Sequence, residues 1–420
     1  MPERAAASGR EAQRWNPRVW HRKVSRPVTV WIGVFLAVGL AHPLIPESRW
    51  LLVHIFTLGI LTNSITVWSQ NLTERFLHRR LDDDARPAQL LRSRLLNLGI
   101  LVVLAGQIIR PVFERHWQIT ACGAVVVCAA VAWHGLVIFR QLQAAGKAQR
   151  FRPVVGGYVA SAVFLVIGAI FGIALAIDLP GQWQNRILVA HLLCNLGGFV
   201  GLAAASSLTV LFSAMWRVNR TLDRPGTMLG AACLGIVIGV AGALAGNKIA
   251  VGAGVLCYAG AWAFALQTWV AAVLGTVGER KQRATYWSLS ALAAVVWLVA
   301  AAVWLGVRIL SADEFGFPGS APVLPLLVGF AAQLLFGTMS YLLPTTMGGG
   351  PAATRAGLSE LNRGGILRVV LFNVALSCWL VVPSSIAKIA FSVVVFGCLT
   401  AFLPLIGRGV RAQRAVIAAR

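Results

Sequence analysis

Apolar stretches close to the roughly 20 residues that a helix needs to cross a bilayer return from one end of the chain to the other. Read by hydropathy, they run 27–45, 50–69, 95–110, 117–139, 154–177, 187–212, 227–245, 249–275, 285–307, 322–344, 366–382 and 386–407. No fold that must wet its whole surface accommodates that pattern. Only 12% of the 420 residues are charged, about half the share in an ordinary soluble domain. The 58% hydrophobic content equally excludes a disordered chain, which needs low hydrophobicity. The sequence therefore predicts an all-α, polytopic membrane helix bundle of twelve transmembrane helices.

The net charge of +23 raises the question of nucleic acid, and its placement answers it. With the N-terminus inside, the inner segments hold 30 of the 37 Lys and Arg. These are the tail to Arg26, Arg75 to Arg94, Arg140 to Arg152, Arg217 to Arg224, Arg280 to Arg283, Arg355 to Arg368, and Arg408 to Arg420. Arg49, Arg110, Arg115, Arg186, Lys248, Arg308 and Lys388 are left outside. The positive-inside rule puts both termini in the cytoplasm of a plasma-membrane protein. Charge spread over every inner loop makes no nucleic-acid stripe, and contact with anionic lipid headgroups accounts for it. The predicted organisation is a basic tail 1–26, a transmembrane domain 27–407 and a second basic tail 408–420. The tail to Arg26 has no short apolar core with a cleavage site, so the first span reads as a retained helix.

Local motifs exclude several chemistries. The seven cysteines all fall within spans and form no CxxC pair, against a disulfide framework or a zinc ribbon. The longest inner loop, Asn71 to Arg94, holds Asp82, Asp83 and Asp84 among basic residues, which reads as a solvated loop balancing its arginines. The three glycines before Pro351 predict an irregular turn. No Lys-Ser/Thr follows them, so a phosphate-binding P-loop is not supported.

Polar residues inside a membrane are costly and mark function. The 14 Asp and Glu all fall in loops or at span ends, which weakens proton-coupled transport. Histidine is the exception: His134 lies in the inner part of the fourth span beside Trp133, and two others lie near the outer side. His54 and His191 each lie about four residues into an outside-to-inside helix, roughly 6 Å below its outer end at 1.5 Å per residue. At matched depth, facing the interior, two imidazoles can reach one haem or one metal ion. His191, Asn195, Gly198, Leu202 and Thr209 fall on one α-helical stripe. Cys194, three residues from His191, is a candidate accessory metal ligand. Thr57, Leu58 and Leu61 share the His54 face, whereas Asn63 points nearly opposite and reads as interhelical glue. A plainer alternative has each histidine only hydrogen-bonding across helices.

Twelve spans with histidines near the outer ends of helices two and six resemble a reduced haem-copper oxidase subunit I. In that family the helix-two histidine ligates haem and the helix-six histidine copper; the matching positions are His54 and His191. The chain departs from the family where Met228 to Ala245 lacks the paired histidines of helix seven. It departs again where helix ten reads Gly329-Phe-Ala-Ala-Gln-Leu-Leu-Phe-Gly337 in place of His-x-His. Gln333 stands there as the strongly polar side chain, able to hydrogen-bond a bound ligand.

A closer resemblance is to a set of actinobacterial membrane proteins that occur alone or fused before cupredoxin-type copper oxidase or nitrite reductase domains. It rests on Val53 to Ser69, Ala190 to Gly197, and Gln333 to Pro344 with Gly348-Gly-Gly-Pro351. The chain is also similar to NnrS-type membrane haem proteins of nitrogen-oxide metabolism. The resemblance implies haem b or copper held by His54 and His191, with Asn195 and Gln333 behind them. It implies electron transfer or a copper- or nitrogen-oxide-related role, and a separate cupredoxin-type oxidase as partner. The competing expectation is a cofactor-free permease or assembly factor.

Overall fold

The computed structural model describes residues 17–147, 149–219, 222–275, 284–313, 315 and 322–419. Among them there is no strand, and twelve helices are long and apolar enough to cross a membrane. The protein is an all-α, multi-pass membrane bundle. The helices are α1 Pro17–Ala41, α2 Ser48–Phe76, α3 Arg86–Ile108, α4 His116–Ala144 and α5 Arg152–Ala176, then α6 Gln182–Trp216, α7 Pro225–Ala245 and α8 Lys248–Leu274. The series ends with α9 Tyr286–Ser311 and α10 Pro325–Met347, an eleventh span Gly350–Val381 made of α11 Gly350–Leu361 and α12 Gly365–Val381, and a twelfth, Ser385–Ala418, made of α13 Ser385–Thr400 and α14 Phe402–Ala418. Met1 to Asn16, Arg280 to Arg283 and Arg420, which carry part of the predicted inner charge, lie outside the described residues.

Contacts divide the chain into two compact units, Met1–Asp178 and Leu179–Arg420. Each is held by helix pairs whose backbones approach closely through small residues, the packing that serves where lipid is as apolar as a side chain. In the first unit a Cβ on Gly99 would lie 2.9 Å from the Gly123 carbonyl oxygen. In the second, one on Gly235 would lie 2.6 Å from the Gly254 carbonyl oxygen. Large apolar side chains left outside the packing, such as Leu101, Val125, Ile167, Leu234, Phe264 and Val393, form the lipid face.

Several segments that the charge pattern places inside are more ordered than that pattern predicts. The loop from Asn71 to Arg94 shrinks, because α2 runs on to Phe76 and α3 begins at Arg86. Glu74 is buried and pairs with Arg86 at 3.0 Å, which lets charged residues continue the helices. The expected tail 408–420 is largely the helix α14, packed on α11. Gln413 is fully buried and donates from one amide to the carbonyls of Pro344 and Gly348 at 2.9 and 2.8 Å. The glycine run is the turn expected: Gly348, Gly349 and Gly350 all have positive φ, a conformation that glycine adopts without the steric cost other residues meet.

Three spans depart from α geometry. Ile55–Thr62 in α2, Leu193–Gly201 in α6 and Pro325–Ala332 in α10 are π-helical, the wide-turned form that is rare and concentrates at functional sites. Each carries glycine at its fifth position: Gly59, Gly197 and Gly329. Two copies share more. A Cβ on Gly59 would meet the ring of Trp31, and one on Gly329 the ring of Trp297, both at 2.7 Å. The Trp31 indole donates to Asn97 at 2.6 Å, and the Trp297 indole to Asn373 at 2.7 Å. Each asparagine in turn donates to the carbonyl four residues before it. Helices α1–α3 and α9, α10 and α12 thus repeat one device, one copy in each unit.

Candidate functional site

His54 ends the regular turn of α2, directly before the π segment. Its half-buried ring stacks on Trp50, with centroids 3.7 Å apart and planes 18° from parallel. Its Nδ1 lies 2.9 Å from the Trp50 carbonyl oxygen. A carbonyl only accepts, so Nδ1 carries the proton and donates. In the neutral ring the lone pair then sits on Nε2. This is the orientation that second-shell bonding gives a ligating histidine.

His191 is held the other way. Asn195 Nδ2 donates to the His191 carbonyl at 2.8 Å and faces His191 Nδ1 at 3.2 Å. The first bond fixes which end of the amide faces the ring, so Nδ1 accepts and Nε2 carries the proton. Cys194 is buried within the π segment Leu193–Gly201, while His191, in the α-helical turn before it, is half-buried.

His54 belongs to the first unit and His191 to the second. Against the glycine of its own π segment, His54 stands five residues earlier and His191 six. The offset is about 100° around a regular helix. The π segments also undo two expectations of helical phase. The stripe from His191 through Gly198 to Thr209 crosses Leu193–Gly201, and the face shared by His54, Thr57, Leu58 and Leu61 crosses Ile55–Thr62. Wider turns advance the chain by a smaller angle per residue, so the α-helical stripe does not carry through. Asn63 is interhelical glue: it exchanges hydrogen bonds with Asn97 at 3.2 and 2.9 Å.

Gln333 follows the third π segment and is 2% exposed, with neither amide atom hydrogen-bonded. Its counterpart Asn63, likewise four residues after the π-segment glycine, donates to the Gly59 carbonyl at 2.8 Å. In α6 the Gly197 carbonyl instead accepts from the Tyr258 hydroxyl at 3.3 Å. Beside these elements the second unit has a small apolar cavity of about 60 Å³, lined by residues that include Leu193, Gly197, Tyr258, Leu298, Pro322 and Phe330. Neither His191 nor Gln333 lines it.

Sequence reasoning missed a polar cluster in the first unit. Ser69 meets the buried His134 at 2.9 Å, Gln70 donates to Gln141 at 2.8 Å, and Arg92 lies over the Trp133 ring. A period-3.6 reading of Ser69, Gln70 and Thr73 would have found one polar face there. Among the described residues no three His, Cys, Asp or Glu gather into a metal-binding group, Asp82 to Asp84 included. Comparison with protein-family models and with curated proteins finds no match to this chain.

Proposed function

We propose that this multi-pass membrane protein binds haem b or copper through His54 and serves electron transfer or nitrogen-oxide- or copper-related metabolism. The observation that supports the reading is the His54 ring itself, stacked on Trp50 with Nδ1 donating to a main-chain carbonyl. That arrangement presents Nε2 as the basic nitrogen, as haem iron and copper require. Haem suits the donor set better than copper. One or two axial imidazoles hold a haem, whereas a protein copper site needs about three ligands, and no such cluster forms among the described residues. His191 is the second candidate ligand, with Cys194 beside it. To bind through Nε2 it must surrender the contact from Asn195 to Nδ1. A bound haem would supply one-electron chemistry; the protein's part is to fix the imidazole and exclude water. By the resemblance, a separate cupredoxin-type oxidase is the redox partner.

A visible spectrum with metal analysis tests this on protein made with ample haem and copper, beside His54→Ala and His191→Ala. The expected result is bound cofactor in the wild type, largely lost in His54→Ala. A wild type carrying neither, or occupancy unchanged in both variants, refutes the reading. One observation favours a cofactor-free permease or assembly factor instead: the described residues that line the cavity include no histidine, cysteine or carboxylate.

A further inference from the structure

Cations withdrawn from water usually have a counter-charge, and among the described residues the buried Arg92 and the half-buried Arg368 have none. Arg92 in α3 is 6% exposed, and its Nη2 is shut off from solvent with no hydrogen-bond partner. The acid on the adjoining α2, Glu74, is taken through both oxygens by Arg86 at 3.1 and 3.0 Å. Among the described residues no carboxylate pairs with Arg92. Its guanidinium lies 5.4 Å from the Trp133 ring centroid.

The second unit repeats this. Arg368 in α12 lies 3.8 Å from the Tyr286 ring centroid. Its Nη2 donates to the Leu361 carbonyl at 2.6 Å, while Nε and Nη1 are buried without partners. Nearby Glu360 is taken by Arg363 and Arg408 at 3.2 and 3.0 Å. Arg92 stands five residues before Asn97, and Arg368 five before Asn373. The repeated device therefore installs the same uncompensated cation twice, each stacked on an aromatic ring.

We propose that Arg92 and Arg368 each bind a phosphate-type anion. A guanidinium offers a planar fork of N–H donors that matches phosphate oxygens, and the aromatic face beneath fixes its plane. Both arginines lie near the start of their helices, Arg92 six residues after Arg86 and Arg368 three after Gly365. At 1.5 Å per residue that is within about 9 Å of the helix end, the level of lipid headgroups. Basic pockets between helices bind headgroups at this level. The anion is the phosphodiester of a phospholipid or free phosphate. The proposal is independent of any cofactor at His54.

The test uses delipidated full-length protein in detergent, beside Arg92→Met, Arg368→Met and the double variant, each checked by near-UV circular dichroism. Thermal unfolding is followed with phosphatidylglycerol, with phosphatidylcholine, and with sodium phosphate against chloride at equal ionic strength. Native mass spectrometry counts retained lipid. The expected result is that phosphatidylglycerol raises the wild-type Tm, each single variant loses about half of that shift, and the double variant loses all of it. Two retained phospholipids should fall to one and then none. Sodium phosphate giving the same arginine-dependent shift without retained lipid identifies free phosphate as the ligand. A full shift in the double variant overturns the proposal, as does a wild type that responds to neither probe. Should the Met variants not fold, Arg92→Lys and Arg368→Lys keep the charge but lose the fork. They are expected to weaken retention, and unchanged retention in both counts against the proposal.

Discussion

Replacing Asn97 by Leu should destabilise the protein more than replacing Asn373 by Leu, although both asparagines hold the same position in the repeated device. Asn97 takes part in three interhelical hydrogen bonds: it accepts from Trp31 at 2.6 Å and from Asn63 at 3.2 Å, and donates to Asn63 at 2.9 Å. Asn373 takes part in one, from Trp297 at 2.7 Å. Interhelical bonds inside membranes average about 0.6 kcal/mol each, so the direct losses are about 1.8 and 0.6 kcal/mol. Each change also strands a tryptophan N–H, at about 1–3 kcal/mol, a cost common to both. The difference of about 1.2 kcal/mol belongs to Asn63. Unfolding in mixed detergent micelles, followed by tryptophan fluorescence, measures it. A Trp31→Phe and Asn97→Leu double-mutant cycle isolates the indole bond. Equal losses for the two Leu variants would refute the hydrogen-bond accounting.

The closest packing gives a second expectation. Gly59→Val and Gly329→Val each push a side chain into an indole ring, at a cost of about 1–3 kcal/mol or more, seen as a lower Tm with weakened near-UV tryptophan ellipticity. Gln333→Leu should raise the Tm of cofactor-free protein, because the amide it removes has no partner; a lower Tm would mean that the amide is engaged. Gln413→Leu releases the carbonyls of Pro344 and Gly348. It is expected to speed hydrogen exchange across Phe402–Ala418 while leaving Ile100 and its neighbours unchanged.

The twelve spans were legible because burial of a helix in lipid demands a run of apolar residues, and hydropathy counts such runs directly. The glycine turn was legible too, since three successive positive φ values leave little choice of residue. Helical phase at His54 and His191 was not. A π segment differs from an α segment by which carbonyl each N–H reaches, and Ile55–Thr62 has the same apolar composition as either form. The helix ends between Asn71 and Arg94 failed for another reason. Glu74 and Arg86 read singly as loop charges, and only their pairing shows how the helices continue. The repeat stayed hidden because it survives in single residues, Trp31 with Trp297, Gly59 with Gly329, Arg92 with Arg368 and Asn97 with Asn373, set in otherwise unrelated apolar sequence.

The three wide-turned segments also say where the chain can tolerate a change of length. Removing one residue from an ordinary membrane helix rotates everything beyond it by about 100° and turns its buried face toward lipid. Within Ile55–Thr62, Leu193–Gly201 or Pro325–Ala332, the same deletion can be absorbed by tightening the turns toward α geometry, with the flanking faces kept in place. Single-residue deletions there should express and fold where deletions in α4 or α5 do not. Such stretches are points at which related chains can gain or lose a residue without rebuilding the bundle.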